Sequence, residues 1–112
     1  MERIKPIELT DNETGKVYTL DFTREVVRRI ERNGFSLSDC EKYPTLLSDL
    51  FYYSFLAHHE REVNRKKADA FLDSIGGVTD SPDGLWERLG QLYTQTFATL
   101  SDEKNGRMTV NF

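Results

Sequence analysis

Ile7-Glu8-Leu9-Thr10-Asp11-Asn12-Glu13-Thr14-Gly15-Lys16-Val17-Tyr18-Thr19-Leu20-Asp21-Phe22 is the stretch that decides the fold. Ile7 and Leu9 alternate with polar neighbours, and Val17–Phe22 brings β-branched and aromatic residues after a turn-rich centre. Gly15 can take the positive φ that closes a loop of this length, while Asp11 and Asn12 can bond their own backbone. The pattern predicts a hairpin over residues 4–22, with Pro6 confined to an edge or a strand start. At the other end, Arg107-Met108-Thr109-Val110-Asn111-Phe112 also alternates with period two. It predicts a last strand over 107–112 that joins the hairpin and buries Met108, Val110 and Phe112 together.

Between these ends the apolar spacing is helical. Thr23 stands as an N-cap before a helix over about 24–33, with Val26, Val27 and Ile30 on one side and Gly34 at its end. Its other side carries Arg24, Arg28, Arg29 and Arg32 against Glu25 and Glu31, a mildly basic face that reads more simply as solvated than as a patch for an anionic partner. Phe35–Tyr43 reads as a connector with a helical turn capped by Ser38, and Pro44 opens a helix over about 44–60. Its stretch Leu50–Ala57 is apolar nearly all around, so it must be buried on most sides. Asn64 caps a helix over about 65–75 that Gly76-Gly77 stops, and Arg65, Lys66 and Lys67 in its first turn oppose the dipole, which local pairing with Glu60 and Glu62 or solvation explains more simply than a modest contact site. Ser81-Pro82-Asp83 signals the start of a helix over about 82–101 whose stripe is Leu85, Trp86, Leu89, Leu92, Tyr93, Phe97 and Leu100. The expectation is one α+β domain over residues 1–112: an N-terminal β-hairpin and a C-terminal strand in a small antiparallel sheet, packed on about four helices.

Composition narrows the function classes. The chain has 112 residues, 38% hydrophobic and 30% charged, which is enough for a real core without metal or disulfide staples. Its net charge of −4 argues against general nucleic-acid binding, which needs a surplus of Lys and Arg on one face. The single Cys40 has no internal disulfide partner and reads as a small hydrophobe in a reducing cytoplasm. The stretch MERIKPIELT lacks the apolar core of a secretory signal, and no segment approaches the ~18 apolar residues of a membrane span.

No catalytic constellation emerges from the residues. His58 and His59 are adjacent and the only histidines, so they do not share a helix face, and the zinc-protease spacing is broken because Val63 stands four residues after His59 and Glu62 four after His58. A histidine near a helix end is explained by the helix dipole. Gly76-Gly77 completes no phosphate-loop pattern, and the acidic residues are distributed singly. The expectation is a binding protein rather than an enzyme, with no cofactor and no metal. Two surfaces suggest themselves as partner sites: the apolar surplus at Tyr52, Tyr53 and Leu56, and the uncharged helix face at Gln91, Thr94 and Gln95, since interface centres are depleted in charge. Ordinary solvent exposure is the simpler reading of the second. A homo-oligomer would also bury an apolar surplus.

Four segments, KPIELTDNETGKVYTLDFTRE, KYPTLLSDLFYYSFLAHH, GLWERLGQLY and NGRMTVNF, resemble a family of small proteins encoded by phages and prophages of Firmicutes. Those proteins are similar to tail assembly chaperones of long-tailed phages, and the resemblance spans nearly the whole chain. It implies a protein of the host cytoplasm that binds the tape measure protein, shields its long hydrophobic helices and helps recruit the tail tube protein. It brings no catalytic residues with it. The alternatives are a structural head-tail or tail component retained in the virion, and a small protein-binding adaptor.

Overall fold

A computed structural model describes residues 3–97 and 106–112. Strand β1 (Ile7–Thr10) pairs antiparallel with β2 (Val17–Leu20), Ile7 opposite Leu20 and Leu9 opposite Tyr18. The turn between them follows from its residues. Asp11 donates its N–H to Lys16 O at 2.8 Å and accepts from Gly15 N at 2.7 Å, its Oδ1 accepts from Glu13 N at 2.9 Å, and Gly15 takes φ +78°. Tyr18 and Leu20 point into the core, whereas Glu8, Thr10 and Val17 are exposed on the other face.

Five helices surround the hairpin among the described residues: α1 (Arg24–Arg32), α2 (Thr45–Tyr53), α3 (Leu56–His59), α4 (Arg65–Ser74) and α5 (Leu85–Gln95), with a 3₁₀ turn at Leu37–Glu41. Two caps match their sequence signals: Thr23 Oγ1 accepts from Val26 N at 3.2 Å, and Asn64 Oδ1 accepts from Lys67 N at 2.8 Å. Gly34 at φ +89° ends α1, and Gly77 N reaches back to Leu72 O at 2.9 Å to end α4. Phe51 and Phe55 sit at the centre of the core, their rings edge-on at 5.2 Å, and Tyr18 from β2 meets Phe55 edge-on at 5.8 Å. Helix α5 closes the other side, with Tyr93 edge-on to Phe22 and tilted against Phe35.

The elements of the structure depart from the sequence expectation at several places. The expected helix over 44–60 is two, α2 and α3, because the chain tightens at Ser54-Phe55: Phe55 N bonds Tyr52 O at 3.1 Å, and Ser54 O accepts from Asp21 N at 2.9 Å. Helix α5 starts at Leu85 after Gly84 at φ +82°, not at Pro82. Ser81 does not cap it, since its Oγ accepts from the Trp86 indole N–H at 2.7 Å. The Glu60 and Glu62 carboxylates pair with Arg29 and Lys16 rather than with the triplet that opens α4, where Arg65 pairs with Asp49 and Lys67 Nζ donates to the main-chain Glu62 O at 3.3 Å. Finally, the strand expected at 107–112 is not formed. The sheet has two strands, and Met108, Val110 and Phe112 are 83%, 73% and 119% exposed. Alternation prepares a segment for pairing but supplies no partner, and among the described residues no strand lies beside the tail. The end of the expected last helix, residues 98–101, lies outside the described residues.

Candidate functional site

The two edges of the sheet differ. On β2, Thr19 N donates to His59 Nε2 at 2.9 Å and Asp21 N donates to Ser54 O at 2.9 Å, so the junction of α2 and α3 closes that edge. Because Nε2 accepts, the imidazole proton sits on Nδ1, which faces Glu62 Oε2 at 3.0 Å. Lys16 completes the cluster on the same carboxylate. Its hydrogen bond, seconded by that of His59, holds the Glu62 carboxyl below its usual range, and the same contact raises the Lys16 ammonium.

The other edge is open. In an antiparallel pair, residues opposite each other either both bond inward or both point outward. Thr19 and Asp21 point outward from β2, so Glu8, which faces Thr19, points its N–H and C=O away from β2 as well, and so does Thr10. Pro6, on the same outward phase, has no N–H to leave unpaired. Among the described residues no further strand lies against β1. Such an edge is a template for another extended chain.

Two clefts flank this edge. One, of about 510 Å³, is lined by Leu9, Tyr18, Phe71 and Ile75, with Asp11 and Ser74 on its rim. The second, of about 500 Å³, is lined by Ile7, Leu20, Phe51, Ile75, Leu85 and Arg88. Both include Leu9 and Ile75, so they are two parts of one groove that runs beneath β1. Ile7 and Leu9 are only half-buried, and among the described residues no strand covers them from beyond β1. Between Pro6 and Gly15 the chain carries Glu8, Asp11 and Glu13 and no basic residue, which makes the rim acidic.

The structure does not gather the sequence candidates into one surface. Tyr52 and Tyr53 are half-buried and engaged: the Arg65 guanidinium lies 5.1 Å from the Tyr52 ring, and Tyr53 OH accepts from Asn33 Nδ2 at 3.0 Å. Leu56 is buried in the core. Gln91 and Thr94 are exposed on α5, as expected. Gln95 is buried instead, its Oε1 accepting from Ile4 N at 2.7 Å and its Nε2 donating to Ile4 O at 3.0 Å. That amide stands in for a strand at Ile4 and ties the start of the chain to α5. Sequence reasoning missed the structural part of His59 and Gln95, since each acts through a contact distant in sequence. It also missed the groove, for which the half-buried strand Ile7–Thr10 beside a proline was the available signal.

The single cysteine is held as a thiol. Burial, and then Asp39 and Asp49, push the Cys40 thiol up, away from the thiolate that reacts. Among the described residues no group of three or more His, Cys, Asp or Glu is placed to hold a metal ion, and no helix is long and apolar enough to cross a membrane. The Tyr93 phenol is likewise driven up, by burial and by donating to Glu31 Oε2 at 2.7 Å. A raised acid stabilises the fold below its unfolded value and ceases to do so as pH climbs past it. Wild type should therefore lose stability above pH ~10 faster than Tyr93→Phe, which should itself be less stable by about 1–2 kcal/mol at neutral pH. Urea midpoints of the two proteins at neutral and alkaline pH check this; parallel curves would remove Tyr93 from the account.

Fold and site together define a small α+β domain with one closed and one open sheet edge and a groove under the open one. The chain belongs to the family described as Domain of unknown function (DUF5055), whose model matches residues 3–112. No curated protein and no solved structure matches it.

Proposed function

We propose that this chain is a non-enzymatic assembly factor that holds extended, apolar segments of a partner protein along β1, in the manner of a phage tail assembly chaperone. The reading rests on one observation: the β2 edge is closed by His59 and Ser54, while the β1 edge is open above an apolar groove. Backbone bonding along Glu8 and Thr10 would give affinity for any extended chain, and the groove under Ile7 and Leu9 would select apolar residues at alternate positions. Such recognition is tolerant of sequence, as a holder of aggregation-prone segments requires.

The partner that the family resemblance implies is the tape measure protein, whose newly made chain offers long apolar stretches before its helices form. The tail tube protein is the second expected partner, and the setting is the cytoplasm of the bacterial host. The role needs no cofactor, nucleic acid or membrane.

Co-expression with the tape measure protein tests the reading through Glu8→Pro. The Glu8 N–H points outward and Ile7 is already extended, so proline there costs the hairpin no bond and fits the residue before it. Wild type should keep the tape measure protein soluble and co-elute with it, and Glu8→Pro should lose most of that capture while folding normally. Equal capture by both proteins would refute β1 as the site. Unchanged solubility of the tape measure protein with wild type would refute the chaperone role.

A further inference from the structure

We infer that the C-terminal tail of one copy of this chain is a strand for the β1 edge of a second copy, so that two copies exchange tails and occupy each other's grooves. The inference rests on the reading of β1 as an acceptor edge and deepens it, because it names a first occupant. The acceptor is the outward row Glu8 and Thr10 above the groove of Ile7, Leu9 and Ile75. The donor is Arg107–Phe112, which alternates apolar and polar and forms no strand in its own chain.

Exposure makes the tail conspicuous. Val110 and Phe112 are large apolar side chains 73% and 119% exposed, and an exposed alternating segment and an open edge on one chain are an invitation to pair. Exchange of an identical segment closes under two-fold symmetry, and each copy both gives and receives a strand.

The chemistry of the two partners selects a direction and a register. Run antiparallel, the tail sets Val110 opposite Leu9 and Phe112 opposite Ile7, so that both apolar chains lie over the groove. Thr109 and Asn111 then exchange backbone bonds with Thr10 and Glu8, whose N–H and C=O groups point that way. Met108 falls beside the cleft rimmed by Asp11. Shifting the register by one residue would turn Met108, Val110 and Phe112 to solvent, so the alternation fixes it.

The exchanged tail would also guard the groove until a partner's segment displaces it, giving the free protein no bare sheet edge.

Light scattering on the full chain, with a mixing experiment, tests the inference. Wild type should elute as a dimer, and Val110→Asp, which alters an exposed residue outside the core, should halve the mass. Full chains carrying Thr10→Cys, mixed with full chains carrying Thr109→Cys, should form a disulfide-linked pair of the two different chains, which only a tail docked in trans can give. A monomeric wild type overturns the inference, whether the tail is protected within its own chain or not. A dimer that survives Val110→Asp and gives no mixed disulfide overturns it too. Failure here is separable from failure of the proposed function: if wild type is monomeric yet Glu8→Pro abolishes capture of the tape measure protein, the edge binds partners and the tail does not. If the mixed disulfide forms while Glu8→Pro leaves capture intact, the exchange stands and the chaperone site lies elsewhere.

Discussion

Phe55→Ala should destabilise the fold by about 3–5 kcal/mol, a large share of the ~5–15 kcal/mol that holds a domain of this kind together. Phe55 is 0% exposed and meets Phe51 edge-on at 5.2 Å, Tyr18 edge-on at 5.8 Å and Phe71 at 6.0 Å. Truncation removes a ring from the point where β2, the end of α2 and α4 converge, and leaves a cavity that rigid neighbours on three elements fill poorly. The measured consequence is a fall in Tm of about 15–25 °C, at roughly 5 °C per kcal/mol for a chain of this length. Tyr43→Ala is the control, because Tyr43 is 58% exposed, and its cost should stay within about 0.5 kcal/mol. If the two variants melt alike, the core is not centred on Phe55.

Gly76→Ala should cost about 3 kcal/mol or more, through backbone rather than packing. Gly76 takes φ +110°, and a Cβ placed there would stand 2.2 Å from Asp80 O and 2.5 Å from Asp80 C. Neither neighbour is a flexible side-chain end. The turn would have to open, breaking the bond from Asp80 N to Gly76 O at 3.1 Å and moving the adjacent Ile75, which lies in both parts of the groove. Stability and partner capture should therefore fall together. Gly77 is the informative comparison: its φ is +70° but a Cβ there meets nothing within 4 Å, so Gly77→Ala should cost only about 1–2 kcal/mol, the left-handed strain alone. Chemical denaturation of the two variants checks the difference. Equal losses would show that the Asp80 contact does not matter.

Local chemistry was the legible part of this fold. The hairpin turn, the caps at Thr23 and Asn64 and the glycine stops are each decided within a few residues, and the sequence places them correctly. What was not legible depends on contacts between residues far apart. Thr19 and His59 are separated by 40 positions, yet that bond decides which sheet edge is closed. Helical phase places Gln95 on the polar side of α5 with Gln91 and Thr94, but the backbone of Ile4, 91 residues away, draws its amide into the interior. Ser81-Pro82-Asp83 carries every mark of a helix start, and the Trp86 indole takes the serine that would have been the cap. The tail shows the same limit: period-two alternation states which faces a strand would have, and not which chain will pair with it.

The candidate surfaces read from sequence were chosen for apolar or uncharged character, whereas the groove is defined by backbone direction. Pro6, exposed Glu8 and half-buried Leu9 together mark an edge strand, and only the pairing register says that its outward groups are unclaimed by β2. This is why the account rests on β1 rather than on Tyr52, Tyr53 or the face of α5.

Amide hydrogen exchange on the full chain tests that claim most directly, first dilute enough to be monomeric and then in complex with the tape measure protein. Glu8 and Thr10 should exchange freely in the monomer, Thr19 and Asp21 slowly, and the complex should protect Glu8 and Thr10. Protection of Glu8 and Thr10 already in the monomer, or a complex that leaves both exchanging freely, would contradict the open edge as the working surface of this protein.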